Sequence, residues 1–213
     1  MERWATFDCY GTLIDWNRGI GRELERLFGA ARAGEQLHAY HEVEPEVQRE
    51  DPSRSYREVM AVVLARLGAP TDEQDALARS LPEWDAFPEV PEALEEARAA
   101  GWRLAVLSNT DRDLLDASLE RIGVDFDLSV AASEIGSYKP SPGHWDEFFA
   151  RSGADRDRHV HVGASLFHDI APAGALGLRT VWVNRLGEEA EPQPDVELRS
   201  LAGLVHHLDS LVS

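Results

Sequence analysis

The stretch ATFDCYGTLIDW, residues 5–16, sets a short apolar run directly before Asp8 and follows it with the pair Gly11-Thr12. An apolar run of this length that stops at an acid and a glycine reads as a strand over 4–10, with Asp8 at its carboxyl mouth. Four further runs repeat the pattern: WRLAVLS (102–108), FDLSVAA (126–132), HVHVGA (159–164) and RTVWVN (179–184). Amphipathic segments over 90–100, 111–122, 143–152 and 168–176 separate the later ones. Strand and helix in alternation imply parallel βαβ units, hence an α/β fold built on a doubly wound parallel sheet. Strands as continuously apolar as LAVLS fit a sheet covered by helices on both faces.

Residues 17–85 break this rhythm. They carry no convincing strand and read as helices over 17–29, 34–49, 53–68 and 71–81, with Val59, Val63, Leu64 and Leu67 at helical spacing. Thr71 with Gln74 three residues later has the form of a capping box. The expected organisation is therefore an α/β core made of 1–15 and 86–213, with a helical insert, 16–85, leaving after the first strand. The tail from Pro192 reads as a loop followed by a closing helix.

The chain has 213 residues, enough for one core with a smaller insert, and its 43% hydrophobic and 28% charged content is that of a globular protein. No apolar run approaches the ~20 residues of a membrane helix. The start, MERWATFDCYG, lacks the basic, apolar and small-residue segments of a signal peptide, and Cys9 is the single cysteine, so the expected compartment is the cytoplasm. A net charge of −18 argues against nucleic acid and against an anionic membrane surface as partners. Of the 21 basic residues, Lys139 is the only lysine. A compact ammonium retained once, among arginines, points to a place where the planar guanidinium would not serve.

In an open parallel sheet, ligands bind beyond the carboxyl ends of the strands. The residues expected there are Asp8, then Ser108 and Asn109, then Lys139 in SEIGSYKPSP, then Ser165 and Asp169 in GASLFHD. Asp8 is a candidate nucleophile, with a helix or turn cap as its plain alternative. The Thr12 hydroxyl can orient a carboxylate, and Lys139 can neutralise the acids and help keep Asp8 ionised. Ser108 and Asn109 offer neutral donors to an anionic substrate, or else cap the following helix. Asp169 can position water, hold Lys139, or do both.

In order and at normal intervals, DCYGTL, LSNTD, GSYKPSP and GASLFHD resemble the four motifs of the haloacid dehalogenase superfamily. The resemblance implies a Rossmann-like core, with 16–85 in the place of that superfamily's cap domain. Its phosphatase branch carries a second acid where this chain has Tyr10, and a metal-binding acid where this chain reads Gly163-Ala164-Ser165. A phenol with an ordinary pKa of about 10 is a poor base near neutrality. Without that acid and a hard oxygen ligand, phosphoryl transfer lacks both proton handling and charge neutralisation.

Asp-x-Tyr in the first motif instead resembles the type II (S)-2-haloacid dehalogenases. That implies displacement at carbon without a metal or other cofactor, through an ester on Asp8, on a small anionic carboxylate. The roles carried over are Asp8 as nucleophile, Thr12, Ser108 at the substrate carboxylate, Asn109 on the leaving-group side, and Lys139 and Asp169 as support and water positioning. Substrate contact is expected from Tyr10, Trp16, His41, Trp145, Ser165 and His168, and a homodimer is the family's common assembly. Three departures stand out: no arginine in LHAYHEVEPEV, which offers His38 and His41; Trp145 in place of a tyrosine; and Ala164-Ser165-Leu166 in place of a Ser-Ser-Asn run. The chain also resembles a branch with an azetidine-2-carboxylate ring-opening hydrolase. A magnesium-dependent phosphatase and a non-catalytic acid binder on the same fold compete with these two. A serine hydrolase at Ser165 lacks the last glycine of its elbow motif.

Overall fold

The computed structural model describes residues 2–212. Its centre is a six-stranded parallel sheet of β1 (Arg3–Phe7), β2 (Trp102–Ser108), β3 (Leu128–Ala131), β4 (His159–Gly163), β5 (Arg179–Val183) and β6 (Val196–Leu198), in the order β3-β2-β1-β4-β5-β6. The register pairs Phe7 with Val106 on one side of β1 and with Val162 on the other. The order reverses between β1 and β4, and such a switch point opens a crevice at the carboxyl edge of the sheet. β1 is shorter than the sequence pattern suggests: it ends at Phe7, although the Asp8 amide still bonds to the Val162 carbonyl at 2.9 Å. β6 was not expected at all; it is a three-residue, half-buried edge strand inside the predicted loop.

Alternate strand residues feed two cores. Ala5, Phe7, Leu104 and Val106 join a large cluster that continues into the helical insert, whereas Trp4, Ala105, Leu107 and Val130 face a smaller one with Trp145 and Phe148. Covering helices are α5 (Val90–Ala99), α6 (Arg112–Ile122), the short α7 (Ala132–Ile135), α8 (Gly143–Ser152), the short α9 (Ala171–Ala175) and α10 (Leu204–Leu211). The expected helix over 168–176 is instead one wide turn, Leu166–Ile170, running into α9.

The insert comprises α1 (Trp16–Phe28), α2 (Ala30–Glu50), α3 (Tyr56–Arg66) and the short α4 (Ala76–Ser80). Asp15 caps α1 by accepting from the Arg18 amide at 3.1 Å. A complete capping box starts α3, where the Ser55 hydroxyl serves the Glu58 amide and the Glu58 carboxylate serves the Ser55 amide. The box expected at Thr71 does not form. Thr71–Glu73 is a single tight turn with no side-chain cap, because Pro70 occupies the capping position. Pro45 sits inside α2 and cannot donate to the His41 carbonyl one turn earlier.

Candidate active site

The first loop past β1 sets Asp8. Gly11 has φ of +90°, and a Cβ there would lie 3.1 Å from the Trp16 indole nitrogen, so the turn that brings Trp16 over the loop needs glycine. Within this turn the Thr12 hydroxyl donates to Asp8 Oδ2 at 2.9 Å and accepts from the Ala164 amide at 2.9 Å. Thr12 thus stands behind Asp8, fully buried, and ties the loop after β1 to the loop after β4.

The other Asp8 oxygen meets Lys139. Its Nζ lies 2.8 Å from Asp8 Oδ1 and 2.6 Å from Asp169 Oδ1, and only 2% of the residue is exposed. The one lysine of the chain is therefore an interior cation bridging two carboxylates, not a solvated surface residue. Asp169 comes this close because Gly163 has no side chain; a Cβ there would stand 2.5 Å from Asp169 Cβ. Burial pushes the Asp8 carboxyl up to about 6, opposed by the Lys139 charge and raised further by Asp169. Lys139 thus lowers the Asp8 pKa, as expected, but desolvation outweighs it. Asp169, also buried, is held well below the usual carboxylate range, Lys139 being the chief cause of the lowering and His161 the next.

These groups open into a cavity of ≈ 720 Å³ between the sheet edge and the insert. Of the expected site residues, Asp8, Tyr10, Trp16, His41, Ser108, Asn109, Lys139, Ser165, His168 and Asp169 line it. Ser108 lines the cavity, and its hydroxyl is buried with no partner within the protein. Neither Ser108 nor Asn109 caps α6, whose capping position is Asp111. The Asn109 amide is spent on Lys139: Nδ2 donates to its carbonyl at 2.9 Å and Oδ1 accepts from its amide at 2.6 Å. The Tyr10 phenol is bonded to the Ser118 hydroxyl at 3.0 Å, and burial pushes its pKa well above the ordinary value, so it is no general base.

Trp145 does not belong here. It lies in the first turn of α8, fully buried in the second core, with its ring 5.1 Å from that of His161. Helical phase turns it into the second core, where the aligned position alone suggested substrate contact. His38 also lies outside the cavity, exposed beside Glu42, whereas His41 packs edge-on to Trp16 at 5.0 Å. Burial lowers the basicity of both His41 and His168. Ser165 receives the His168 amide at 3.0 Å and stands 3.1 Å from its Nδ1, an arrangement that caps the turn Leu166–Ile170.

Two lining residues carried no signal in the strand-end reading. Arg185, just past β5, donates to the Gly11 and Thr12 carbonyls at 3.2 and 2.8 Å and to Glu89 at 2.8 Å, with its guanidinium over the Phe87 ring. It clamps the loop that carries Asp8, and its charge is already matched by Glu89. Glu44 of α2 faces the cavity from the insert, and burial raises its carboxyl to about 7 against the pull of the Tyr56 phenol. Among the described residues, no group of three or more His, Cys, Asp or Glu side chains is arranged to hold a metal ion. The place between the two carboxylates is filled by the Lys139 ammonium.

A family model for haloacid dehalogenase-like hydrolases matches residues 3–177. An (S)-2-haloacid dehalogenase of Burkholderia cepacia is 27% identical, over 98% of this chain and 91% of its own. One from Pseudomonas sp. strain YL is 29% identical, over 93% and 91%. The fold matches the solved L-2-haloacid dehalogenase of Xanthobacter autotrophicus with a TM-score of 0.84 at 20% identity, covering 98% of this chain and 99% of that one. No helix among the described residues is long and apolar enough to cross a membrane. With the four motifs gathered at one sheet edge and the family model spanning most of the sequence, the chain belongs to the haloacid dehalogenase-like hydrolases.

Proposed function

We propose that the protein hydrolyses a small (S)-2-haloacid at carbon, without a metal, through an ester on Asp8. The observation that carries this reading is the arrangement of Asp8 itself. One oxygen is held by Lys139 and the other by Thr12, so the carboxylate is oriented at the cavity floor, and the residue two places on is the phenol Tyr10 and not an acid able to protonate a phosphate leaving group, while the neighbouring Asp169 is tied up as an ionised partner of Lys139. Such orientation is what a displacement at carbon asks of its nucleophile. Under this reading 1–15 and 86–213 form the core and 16–85 the cap, and a homodimer goes with it as the assembly common in the resembling family.

In the first step an Asp8 oxygen attacks C2, a new C–O bond forms, and the carbon–halogen bond breaks with its electron pair leaving on the halide. The substrate carboxylate is met by the free Ser108 hydroxyl and loop amides, since Lys139 and Arg185 are already engaged by carboxylates. In the second step water adds to the Asp8 carboxyl carbon; one of its protons passes to the departing substrate oxygen and the other is released to solvent. The bond from that carbon to the substrate oxygen then breaks, releasing a 2-hydroxy acid of inverted configuration and restoring the carboxylate. Asp169 and Lys139 border this water. Tyr10 and Trp16 supply the apolar walls.

The test is halide release from chloro-, bromo- and fluoroacetate and from both enantiomers of 2-chloropropionate, with mass spectrometry for an ester on Asp8. Single turnover in H₂¹⁸O should place one heavy oxygen in Asp8. Absence of halide from every substrate sinks the reading, and chelator-sensitive turnover of an aryl phosphate would replace it with a phosphatase.

A further inference from the structure

Beneath the cavity, on the protein side of Asp169, lies a row of buried polar groups that the proposed chemistry does not use. Asp169 Oδ1 is 3.4 Å from His161 Nε2, His161 Nδ1 is 2.8 Å from the Thr6 hydroxyl, and that hydroxyl is 2.9 Å from His159 Nε2. All four side chains are fully buried. Such a row has a direction, and one end of it decides the rest.

Asp169 is ionised beside Lys139 and can only accept, so His161 Nε2 carries the hydrogen. Burial and the Lys139 charge lower the basicity of His161 against the opposing pull of Asp169, which favours its neutral form. Its Nδ1 is then an acceptor and takes the Thr6 O–H. The Thr6 oxygen in turn accepts from His159 Nε2–H, which leaves His159 Nδ1 as a bare lone pair. That atom is indeed buried with no partner. The groups facing His161 are Asp169 and Lys139 from the loops, His144 and Trp145 from α8, and His159 on its own strand, with Arg156 acting on His159. His144 is committed to the Ser108 carbonyl at 3.0 Å and burial pushes its pKa down to about 3, so it brings no charge.

We propose that His161, held in its Nε2–H form by Asp169 on one side and backed by the Thr6 hydroxyl on the other, is a positioning residue for the reaction: its N–H fixes Asp169 against Lys139, so that the same ammonium is aimed at Asp8. Three charges share this pocket, two negative and one positive, and a neutral donor is what spreads the surplus negative charge. Without it, the cluster takes up its first proton more readily and the ionised Asp8 needed for attack is lost at higher pH. The kinetic part rests on the reading of Asp8 as nucleophile; the proton arrangement does not.

The test begins with ¹⁵N-histidine NMR of the resting protein. His161 and His159 should both be neutral Nε2–H tautomers from pH 7 to 9; Thr6→Val, which removes the oxygen that His159 Nε2 donates to, should abolish the His159 preference while Thr6→Ser keeps it. The second arm reads the acid limb of kcat/KM for the haloacid, or in its place the ¹³C titration of Asp8. In His161→Leu this limb should move up by about one pH unit, the scale of one lost hydrogen bond to a charged group. His161→Gln, which keeps a donor, should hold the limb near that of the parent even if both variants melt earlier. An Nδ1–H tautomer in the parent overturns the proposal, as do equal limbs in the Leu and Gln variants. Should His161→Leu fail to fold, the limb of His161→Met, which also lacks a donor, decides in the same direction. If no haloacid is turned over, the dehalogenase reading falls alone, because the tautomers and the Asp8 titration are read without substrate.

Discussion

The side-chain amide of Asn109 grips the backbone of Lys139 from both sides, donating to its carbonyl at 2.9 Å and accepting from its amide at 2.6 Å. The residue following β2 therefore fixes where the chain's one lysine leaves its loop, 30 positions further on. Asn109→Ala frees that loop, and a misplaced ammonium disorients Asp8. The expected loss is about 100-fold in the rate of ester formation, the scale of a 1 Å displacement of a catalytic group. Asn109→Asp should be no better, since a second acceptor then faces the Lys139 carbonyl. Rapid-quench measurement of the Asp8 ester decides it; an unchanged rate in Asn109→Ala would remove the positioning role.

Lys139 stands between two buried carboxylates, and removing it leaves both uncompensated. Breaking a buried ion pair by taking one partner costs about 3–5 kcal/mol. Lys139→Met should lose roughly that in denaturant unfolding at pH 7.5 and less near pH 5, where Asp8 takes up a proton. Lys139→Arg should recover part of the stability and little activity, because a planar fork cannot replace a point charge at 2.8 and 2.6 Å. Full activity in the arginine variant would contradict the reading of a compact site.

Asp8 gives the protein an unusual pH signature. Its folded pKa, raised to about 6 by burial, lies above the value for an exposed aspartate, so the neutral form is favoured by folding and the ionised form is not. The resulting stabilisation is present below about pH 4 and is lost as pH rises through 6, an effect on the order of 2–3 kcal/mol. Asp8→Asn should therefore abolish turnover yet raise the melting temperature at pH 8, with no gain at pH 4. In the active protein kcat/KM should climb through pH 6 as Asp8 ionises. Equal melting of variant and parent at both pH values would show that Asp8 is not desolvated as described.

How much of this was legible beforehand follows from the range of each interaction. Asp8, Ser108, Lys139 and Asp169 could be placed together because each sits at the carboxyl end of a strand or in the connection that leaves it, and strand ends are marked locally by apolar runs that stop. The single lysine among arginines was a further local sign, and in the structure it is the buried ammonium that bridges Asp8 and Asp169. Trp145 was misplaced because its position relative to Lys139 says nothing about helical phase; α8 turns it into the core beneath the sheet. The cap at Thr71 failed on one preceding proline. β6 escaped because three residues of half-polar edge strand make no periodic signal. Arg185 and Glu44 were illegible for a different reason. Arg185 acts on carbonyls 173 and 174 positions away, and Glu44 becomes part of the cavity only when the insert folds over the sheet edge.

Glu44 yields the last expectation. It is a buried acid on α2 with its carboxyl raised to about 7, it lines the cavity, and the groups around it are the phenols of Tyr40 and Tyr56, with no cation to match its charge. A haloacid enters as an anion. Below pH 7 it meets a neutral carboxyl, and above pH 7 a second negative charge. Two like charges about 8 Å apart at an effective dielectric of about 20 repel by about 2 kcal/mol, or roughly 30-fold in affinity. KM should therefore rise above pH 7 while kcat stays level, since Glu44 does not touch the reacting atoms. Glu44→Gln keeps the shape and removes the charge, so its KM should stay flat from pH 6 to 9 at the low value of the parent. The same substitution relieves a desolvated carboxylate, so the variant should melt higher than the parent at pH 9 and equally at pH 5. A KM that rises identically in parent and variant would place the titrating group elsewhere, with His41 and His168 the next residues to replace.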